Sequence, residues 1–179
     1  GYYPGAKMVG LKVLFRKSAG RLLGAQAVGL DGPAVDKRIS ALAVAIQMGA
    51  TVYDLEEAEL CYAPQFGSAK DAVNFAGMVA ADVLHGDMPL AHWSDADGAF
   101  LLDVRQPVEL VVESVAGAVN IPLPQLRKRL GELPRDREIL VICRSAQRAY
   151  YATRILLQNE FKVRNLSGGM LVRAMVAGD

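Results

Sequence analysis

Residues 138–148 read Glu-Ile-Leu-Val-Ile-Cys-Arg-Ser-Ala-Gln-Arg. After the glutamate, residues 139–142 are apolar without interruption and mostly β-branched. Such a run is typical of a strand buried on both faces of a parallel sheet. The pattern predicts a helix after this run, over about residues 149–159. In open parallel sheets ligands bind beyond the carboxyl ends of the strands, where the N–H groups of a helix N-terminus favour an anion. Cys143 is therefore a candidate nucleophile.

The rest of the second half alternates between short apolar runs and helical patterns. Strands are predicted at residues 100–104, 118–121 and 162–166, and helices at residues 122–130 and 170–176. Such alternation indicates an α/β fold, a mostly parallel sheet with helices on both faces.

The first half has a different pattern. Residues 11–16 alternate between apolar and polar side chains, and a second apolar run at 22–30 follows a short Gly-containing loop. Together they predict an antiparallel hairpin, ended by Asp-Gly-Pro at residues 31–33. Helices are predicted at 36–48 and 68–84, and the second is apolar nearly all round. Such a helix is buried on several sides, which favours burial against a partner chain; the alternative is a central core helix. We predict an α+β domain over residues 1–86 and the α/β domain over residues 87–179.

Composition excludes several function classes. The 179 residues carry 20 basic and 19 acidic side chains, so charge gives no reason to expect a nucleic-acid or membrane-surface partner. No apolar run reaches the roughly 18 residues of a membrane-spanning helix. Two cysteines and two histidines match no zinc spacing, so no metal site is predicted, and the low cysteine count favours a reducing, cytoplasmic compartment. Glycine-rich nucleotide-binding loops are absent from the sequence.

The loop after the strongest strand has a definite chemical character. Main-chain N–H groups and the helix dipole favour a thiolate at Cys143, and Arg144 and Arg148 add positive charge for an anionic substrate. Cysteine phosphatases place the arginine six positions after the cysteine, whereas Arg148 stands five positions after it. This tighter loop suits a single sulfur atom and disfavours a phosphatase or an arsenate reductase.

Residues from about 90 to 179 resemble a rhodanese domain, the fold of single-domain sulfurtransferases. Four motifs carry the resemblance: Leu-Asp-Val-Arg at 102–105, Gly-Ala-Val-Asn-Ile-Pro at 117–122, Cys-Arg-Ser at 143–145 and Leu-Ser-Gly-Gly at 166–169. The resemblance implies that Cys143 accepts sulfane sulfur, holds it as a persulfide and passes it to a thiol or other acceptor.

The resemblance also implies roles for the neighbours of Cys143. Asp103 and Arg105 would brace the active-site loop, and their alternative is a surface ion pair worth little. The loop that would surround the sulfur consists of Arg144, Ser145, Ala146, Gln147 and Arg148. The chain departs from the family pattern in three places. Ala146 stands where glycine is frequent, so that either the backbone there avoids positive φ or it is strained. Ala149 replaces a usual Ser or Thr, and no aromatic residue follows Gly-Gly at 168–169.

Residues 1–86 carry a second resemblance. The segments 2–6 (Tyr-Tyr-Pro-Gly-Ala), 61–66 (Cys-Tyr-Ala-Pro-Gln-Phe) and 68–71 (Ser-Ala-Lys-Asp), with the hairpin, resemble the dimerisation domain of pyridine nucleotide-disulfide oxidoreductases. The similar branch comprises coenzyme A-disulfide reductases and NADH-dependent persulfide reductases, some of which end in a rhodanese domain. The resemblance implies a homodimer through residues 1–86, with FAD and NAD(P)H domains ahead of Gly1 and no cofactor bound by this chain.

The same resemblance assigns roles to two tyrosines. Tyr62, and with it Tyr3, would reach the partner subunit's redox cysteine and its mixed disulfide with coenzyme A. Cys61, beside Tyr62, is expected to be a packed small apolar residue.

We therefore interpret the chain as a piece of a flavin- and NAD(P)H-dependent coenzyme A-disulfide or persulfide reductase, an oxidoreductase whose reductase activity the piece alone lacks. Its rhodanese-type sulfurtransferase domain would carry sulfur on Cys143. The donor would be a small sulfur species (a persulfide, polysulfide or thiosulfate) or coenzyme A persulfide. The alternative is a non-catalytic module for dimerisation and for binding sulfur species.

Overall fold

The structure is a computed structural model that describes residues 3–29 and 34–177. The chain divides into two compact units, Gly1–His85 and Gly86–Asp179. The exact domain bounds given by the sequence, 1–86 and 87–179, stay a prediction.

The described part of the first unit combines a two-stranded sheet with helices. Its elements are β1 (Val9–Phe15), β2 (Leu22–Gly29), α1 (Val35–Gln47), α2 (Val52–Glu57) and α3 (Ala72–His85). β1 and β2 pair antiparallel, which confirms the hairpin predicted from alternation. The end of the second predicted strand at residue 30 and the predicted turn at 31–33 lie outside the described residues.

Helix α2 escaped the sequence analysis because six residues are too few to show a helical repeat. A reciprocal cap stabilises its start: the Asp54 N–H donates to the Thr51 hydroxyl (3.3 Å), and the Thr51 N–H donates to the Asp54 carboxylate (2.6 Å). These bonds satisfy N–H groups that a helix start leaves without partners. The cap lowers the pKa of Asp54.

The core of the first unit depends on a close approach of α2 and α3. A Cβ atom added at Gly77 would lie 2.7 Å from the Val52 carbonyl oxygen and 2.8 Å from the Leu55 carbonyl carbon. Next to this contact the buried Asn74 amide donates to the carbonyls of Leu55 (3.0 Å) and Ala58 (2.8 Å). The backbones of the two helices therefore pack directly against each other, and only glycine fits at position 77.

Gly77→Ala is expected to lower the free energy of unfolding of the first unit by about 1–3 kcal/mol, because the added methyl group must push two backbones apart. Gly24→Ala is the control, since its Cβ would make an ordinary 3.5 Å contact with Leu14. Chemical denaturation of both variants measures the difference. An equal, small effect of the two substitutions would contradict the close packing of α2 and α3.

The second unit is built on one parallel sheet. Its strands and helices are β3 (Leu90–Ala91), β4 (Phe100–Asp103), α4 (Pro107–Val112), β5 (Val119–Asn120), α5 (Leu123–Leu126), β6 (Ile139–Ile142), α6 (Gln147–Gln158), β7 (Val163–Leu166) and α7 (Gly169–Ala177). Short 3₁₀ turns lie at Trp93–Asp95 and Leu130–Glu132. The strand order is β3-β7-β6-β4-β5, and every recorded pairing is parallel. The predicted α/β sheet is confirmed, with the run before Cys143 as its central strand.

Alternation along β6 builds a core on each face of the sheet. Ile139 and Val141 belong to a buried cluster with residues of α6, whereas Leu140 and Ile142 belong to a cluster with Met170 of α7. Both faces are therefore covered by helices, as predicted. Cys143 continues the alternation on the α6 face, where it joins the first cluster.

Helix α4 was not predicted, because its six residues are too few to show a helical repeat, and most of its apolar side chains are exposed. Val108, Val111 and Val112 are 72%, 87% and 89% exposed. Its start is fixed by the Gln106 N–H, which donates to the Glu109 carboxylate (3.0 Å). Of the helices in residues 3–29 and 34–177, none has the length and apolar character needed to cross a bilayer.

Candidate active site around Cys143

Cys143 lies at the carboxyl end of the central strand β6 and is 1% exposed. Two backbone hydrogen bonds attach its loop to the start of α7. The Met170 N–H donates to the Cys143 carbonyl (3.0 Å), and the Leu171 N–H donates to the Arg144 carbonyl (3.1 Å). The thiol therefore sits on a loop that is fixed between two helix N-termini, those of α6 and α7.

The Gly-Gly motif at 168–169 is explained by this attachment. Gly169 has φ +55°, and a Cβ atom there would lie 2.9 Å from the Arg144 carbonyl oxygen. The Gly169 carbonyl accepts a hydrogen bond from the Trp93 indole N–H (3.0 Å). An aromatic side chain from a distant segment thus contacts the motif whose usual following aromatic residue is missing.

Ala146 ends the loop with a left-handed backbone, at φ +73°. Of the two possibilities that the sequence left open, strain is the one observed, because this conformation costs an L-residue about 1–2 kcal/mol. Its carbonyl accepts from the Tyr150 N–H (2.8 Å) and from the side-chain amide of Asn165 (3.1 Å). Asn165 is buried on β7 and escaped the sequence analysis. Its signal is a polar residue inside an apolar strand.

Ala146→Gly is expected to raise the free energy of unfolding by about 1 kcal/mol, because glycine adopts positive φ without strain. Glu160→Gly is the matched control, since Glu160 has φ +61° and lies beyond the other end of α6. Denaturation of both variants measures the change, and each variant should show a gain. A loss of stability in Ala146→Gly would contradict the left-handed backbone.

Arg148 is bound to a carboxylate within the protein. Its two terminal nitrogens donate to the two carboxylate oxygens of Glu109 on α4, at 2.6 and 2.7 Å. The hydrogen bonds to Arg148 lower the pKa of Glu109 to about 2, and the pKa of Arg148 is raised in return. The sequence analysis missed Glu109. It lies four residues after Arg105, and only the fold shows that it faces Arg148. That Arg148 stabilises a persulfide stays a prediction.

Asp103 and Arg105 form a buried ion pair at the end of β4. The Arg105 guanidinium donates to Oδ2 of Asp103 (2.7 Å), to its Oδ1 (3.0 Å) and to the Glu113 carbonyl (2.9 Å). This pairing raises the pKa of Arg105. The Asn120 amide donates to the Asp103 carbonyl (2.8 Å) and the Arg105 carbonyl (3.0 Å), which ties β4 to β5. A surface ion pair is therefore excluded, and the bracing of the Cys143 loop by this pair stays a prediction.

The Glu109–Arg148 pair gives stability a defined pH dependence. The Glu109 carboxyl has an ordinary pKa of 4.5 and about 2 in the folded chain, so its contribution is complete above pH 4.5 and is lost as the pH falls towards 2. Glu109→Gln is expected to cost about 1 kcal/mol of unfolding free energy at pH 6, the size for a partly exposed pair, and much less at pH 2. Denaturation across pH 2–6 measures the difference. A cost that does not change with pH would contradict the ionic pairing.

The candidate residues of the first unit lie on its surface. Tyr3 and Tyr62 are both exposed. Tyr62, Cys61 and Phe66 line a cavity of about 400 Å³ together with Lys37 and Arg38 of α1. Cys61 is exposed, so the expectation that it is packed is wrong: it lies in an irregular segment after α2 rather than on an element that faces the core. The roles of Tyr3 and Tyr62 towards a partner's redox cysteine stay predictions.

Comparison with known proteins assigns both units. Residues 89–172 match the rhodanese-like domain family, and residues 2–73 match the dimerisation domain family of pyridine nucleotide-disulphide oxidoreductases. The chain joins these two domains. It combines a rhodanese-like domain with a dimerisation domain of the pyridine nucleotide-disulphide oxidoreductase type, as the sequence motifs predicted.

Two solved structures resemble the whole chain. The crystal structure of reduced Bacillus anthracis CoADR-RHD is 41% identical, with a TM-score of 0.93 over 99% of this chain and 32% of that one. The NAD-dependent persulfide reductase of A. fulgidus is 38% identical, with a TM-score of 0.85 over 95% of this chain and 31% of that one.

Curated relatives match one domain each. The coenzyme A disulfide reductase of Staphylococcus epidermidis is 45% identical over 80 residues, which are 45% of this chain and 18% of that protein. A sulfurtransferase of Allochromatium vinosum is 33% identical over 82 residues, 45% of this chain and 77% of that protein. The chain thus spans about a fifth of the coenzyme A disulfide reductase and about a third of each of the two solved chains.

Proposed function

We propose that the rhodanese-like domain of this chain is a sulfurtransferase domain that carries sulfane sulfur as a persulfide on Cys143. The observation that carries the proposal is the position of this thiol. It lies at the carboxyl end of the central parallel strand, on a loop that leads into the N-terminus of α6. Main-chain N–H groups and the dipole of a twelve-residue helix favour negative charge at that place.

The transfer is a displacement at sulfur. The Cys143 thiolate attacks the sulfane sulfur of a donor, a Cys143–sulfur bond forms, the donor's sulfur–sulfur bond breaks, and the donor leaves with the bonding electron pair as a thiolate or sulfite. The same displacement in reverse passes the sulfur to an acceptor thiolate. No external oxidant or reductant is consumed. The loop 144–148 would hold the added sulfur through its N–H groups.

The first unit supports a wider setting for this chemistry. We propose that the chain acts within a homodimeric, flavin- and NAD(P)H-dependent coenzyme A-disulfide or persulfide reductase of the cytoplasm, dimerised through residues 1–86. The match of residues 2–73 to the dimerisation domain family supports the dimer, and the exposed side chains of Phe75 and Val79 on α3 give it an apolar surface. FAD, NAD(P)H and coenzyme A would be bound outside this chain, and Tyr62 and Tyr3 would meet the partner's redox centre.

Mass spectrometry after treatment with a persulfide donor tests the sulfur-carrying role. One added sulfur, about 32 Da, is expected on Cys143 in the wild type and in Cys61→Ala, and none at this position in Cys143→Ala. Cys61 is the matched control because it is the other cysteine of the chain and is exposed. An adduct on Cys61 alone, or none on either cysteine, would remove the proposal.

A non-catalytic binding module is the second candidate, and the almost complete burial of Cys143 favours it. The two hypotheses differ in the pH dependence with which Cys143 is alkylated. A carrier thiolate is alkylated by iodoacetamide at pH 6 nearly as fast as at pH 8.5, whereas an ordinary thiol ionises only near pH 8.5. Rapid alkylation of Cys143 at pH 6 supports the sulfurtransferase, and alkylation that appears only at alkaline pH supports the binding module.

A further inference from the structure

The arginines near Cys143 are already paired within the protein. Arg148 is bound to Glu109 by two hydrogen bonds, and Arg105 is bound to Asp103. Arg148 lies in the first turn of α6, directly after the loop that follows Cys143, so its pair with Glu109 lies at the end of that loop. Arg144 is exposed and has no ion-pair partner among the described residues. Three arginines and two carboxylates therefore leave a single positive charge around the loop.

We propose that Glu109 determines donor specificity. This inference rests on the sulfur-carrying role of Cys143. The Glu109 carboxylate cancels the charge of Arg148, so that the loop takes sulfur from persulfide donors with at most one negative charge in preference to the dianion thiosulfate. Glu109 touches Arg148 rather than the sulfur, so it acts through that arginine.

The geometry explains why the cancellation is effective. Both terminal guanidinium nitrogens of Arg148 point at Glu109, at 2.6 and 2.7 Å, which is the planar fork that an arginine would otherwise offer to an oxyanion. The pair is only partly exposed, so water screens it incompletely. The Glu109 carboxyl is ionised at neutral pH, and the hydrogen bonds to Arg148 keep it ionised down to its lowered pKa of about 2. A donor that approaches Cys143 therefore meets a neutral pair instead of a guanidinium.

Donors differ in the charge that they bring and that they release. An organic persulfide transfers its terminal sulfur to the Cys143 thiolate and leaves as a thiolate with one negative charge. Thiosulfate transfers its outer sulfur and leaves as sulfite with two negative charges. Both displacements break one sulfur–sulfur bond and form another, so that the difference lies in electrostatics. An extra positive charge at the loop stabilises the approach of the dianion about twice as strongly as that of a monoanion.

The test compares two donors on the same chain. Thiosulfate and 2-hydroxyethyl persulfide are each mixed with the protein at low ionic strength, and the rate of sulfur addition to Cys143 is followed by mass spectrometry. Glu109→Gln keeps the shape of the side chain and removes its charge. The thiosulfate rate is expected to rise about tenfold and the persulfide rate by no more than about threefold, with the gain shrinking in high salt. Glu109→Asp keeps the charge and should keep the wild-type ratio of the two rates.

Two further variants make the result specific. Glu132→Gln is the matched control, since Glu132 also accepts two hydrogen bonds from one arginine, Arg129 (2.6 and 2.7 Å), on the exposed surface, and it should leave the ratio unchanged. Arg148→Gln should shift the ratio in the opposite direction, against thiosulfate, because it leaves Glu109 uncompensated.

The failures of the two proposals can be told apart. If Cys143 of the wild type accepts sulfur from 2-hydroxyethyl persulfide but Glu109→Gln leaves the ratio of the rates unchanged, or raises both rates equally, the specificity role of Glu109 is overturned and the carrier role stands. If neither donor loads the wild-type Cys143, both proposals are overturned.

Discussion

The hydrogen bond from the Met170 N–H to the Cys143 carbonyl is the contact on which the geometry of the loop depends. Together with the bond from Leu171 to Arg144, it fixes the loop after β6 against the start of α7. These two bonds require the two backbones to touch, and they can do so only because Gly169 has no side chain.

Strain and its compensation meet in the same loop. The left-handed Ala146 raises the energy of the loop, and the hydrogen bond from the Asn165 amide to the Ala146 carbonyl offsets part of this cost. Backbone strain of this kind persists only where the surrounding structure holds it, and it collects at functional sites. The cost argues that the direction of the N–H groups after Ala146 matters more here than the stability that a glycine would add.

Electrostatics around Cys143 are organised in closed pairs rather than in an open field of arginines. Asp103 forms an ion pair with Arg105 at the end of β4, and Glu109 forms one with Arg148 at the end of the loop. A sulfur atom carries far less charge than a phosphoryl group, so a carrier of sulfur needs fewer unpaired cations than an enzyme that handles phosphate. The short loop and the paired arginines therefore both favour a single sulfur atom over a phosphoryl group as the ligand. The first unit matches the dimerisation domain family of pyridine nucleotide-disulphide oxidoreductases.

The sequence by itself determined the two domains, the hairpin, the parallel sheet and the position of Cys143 at the end of a buried strand, because each rests on local signals: alternation, a continuous buried run, and four motifs in order. The sequence analysis missed α2 and α4, because each has only six residues, which are too few to show a helical repeat. Only the tertiary structure decided that Arg148 binds Glu109, that Asn165 holds Ala146 and that Cys61 is exposed. These contacts join residues that lie 39 and 19 positions apart or depend on which surface a loop leaves open. No local pattern along the chain indicates such contacts, because they depend on the order of the strands in the sheet.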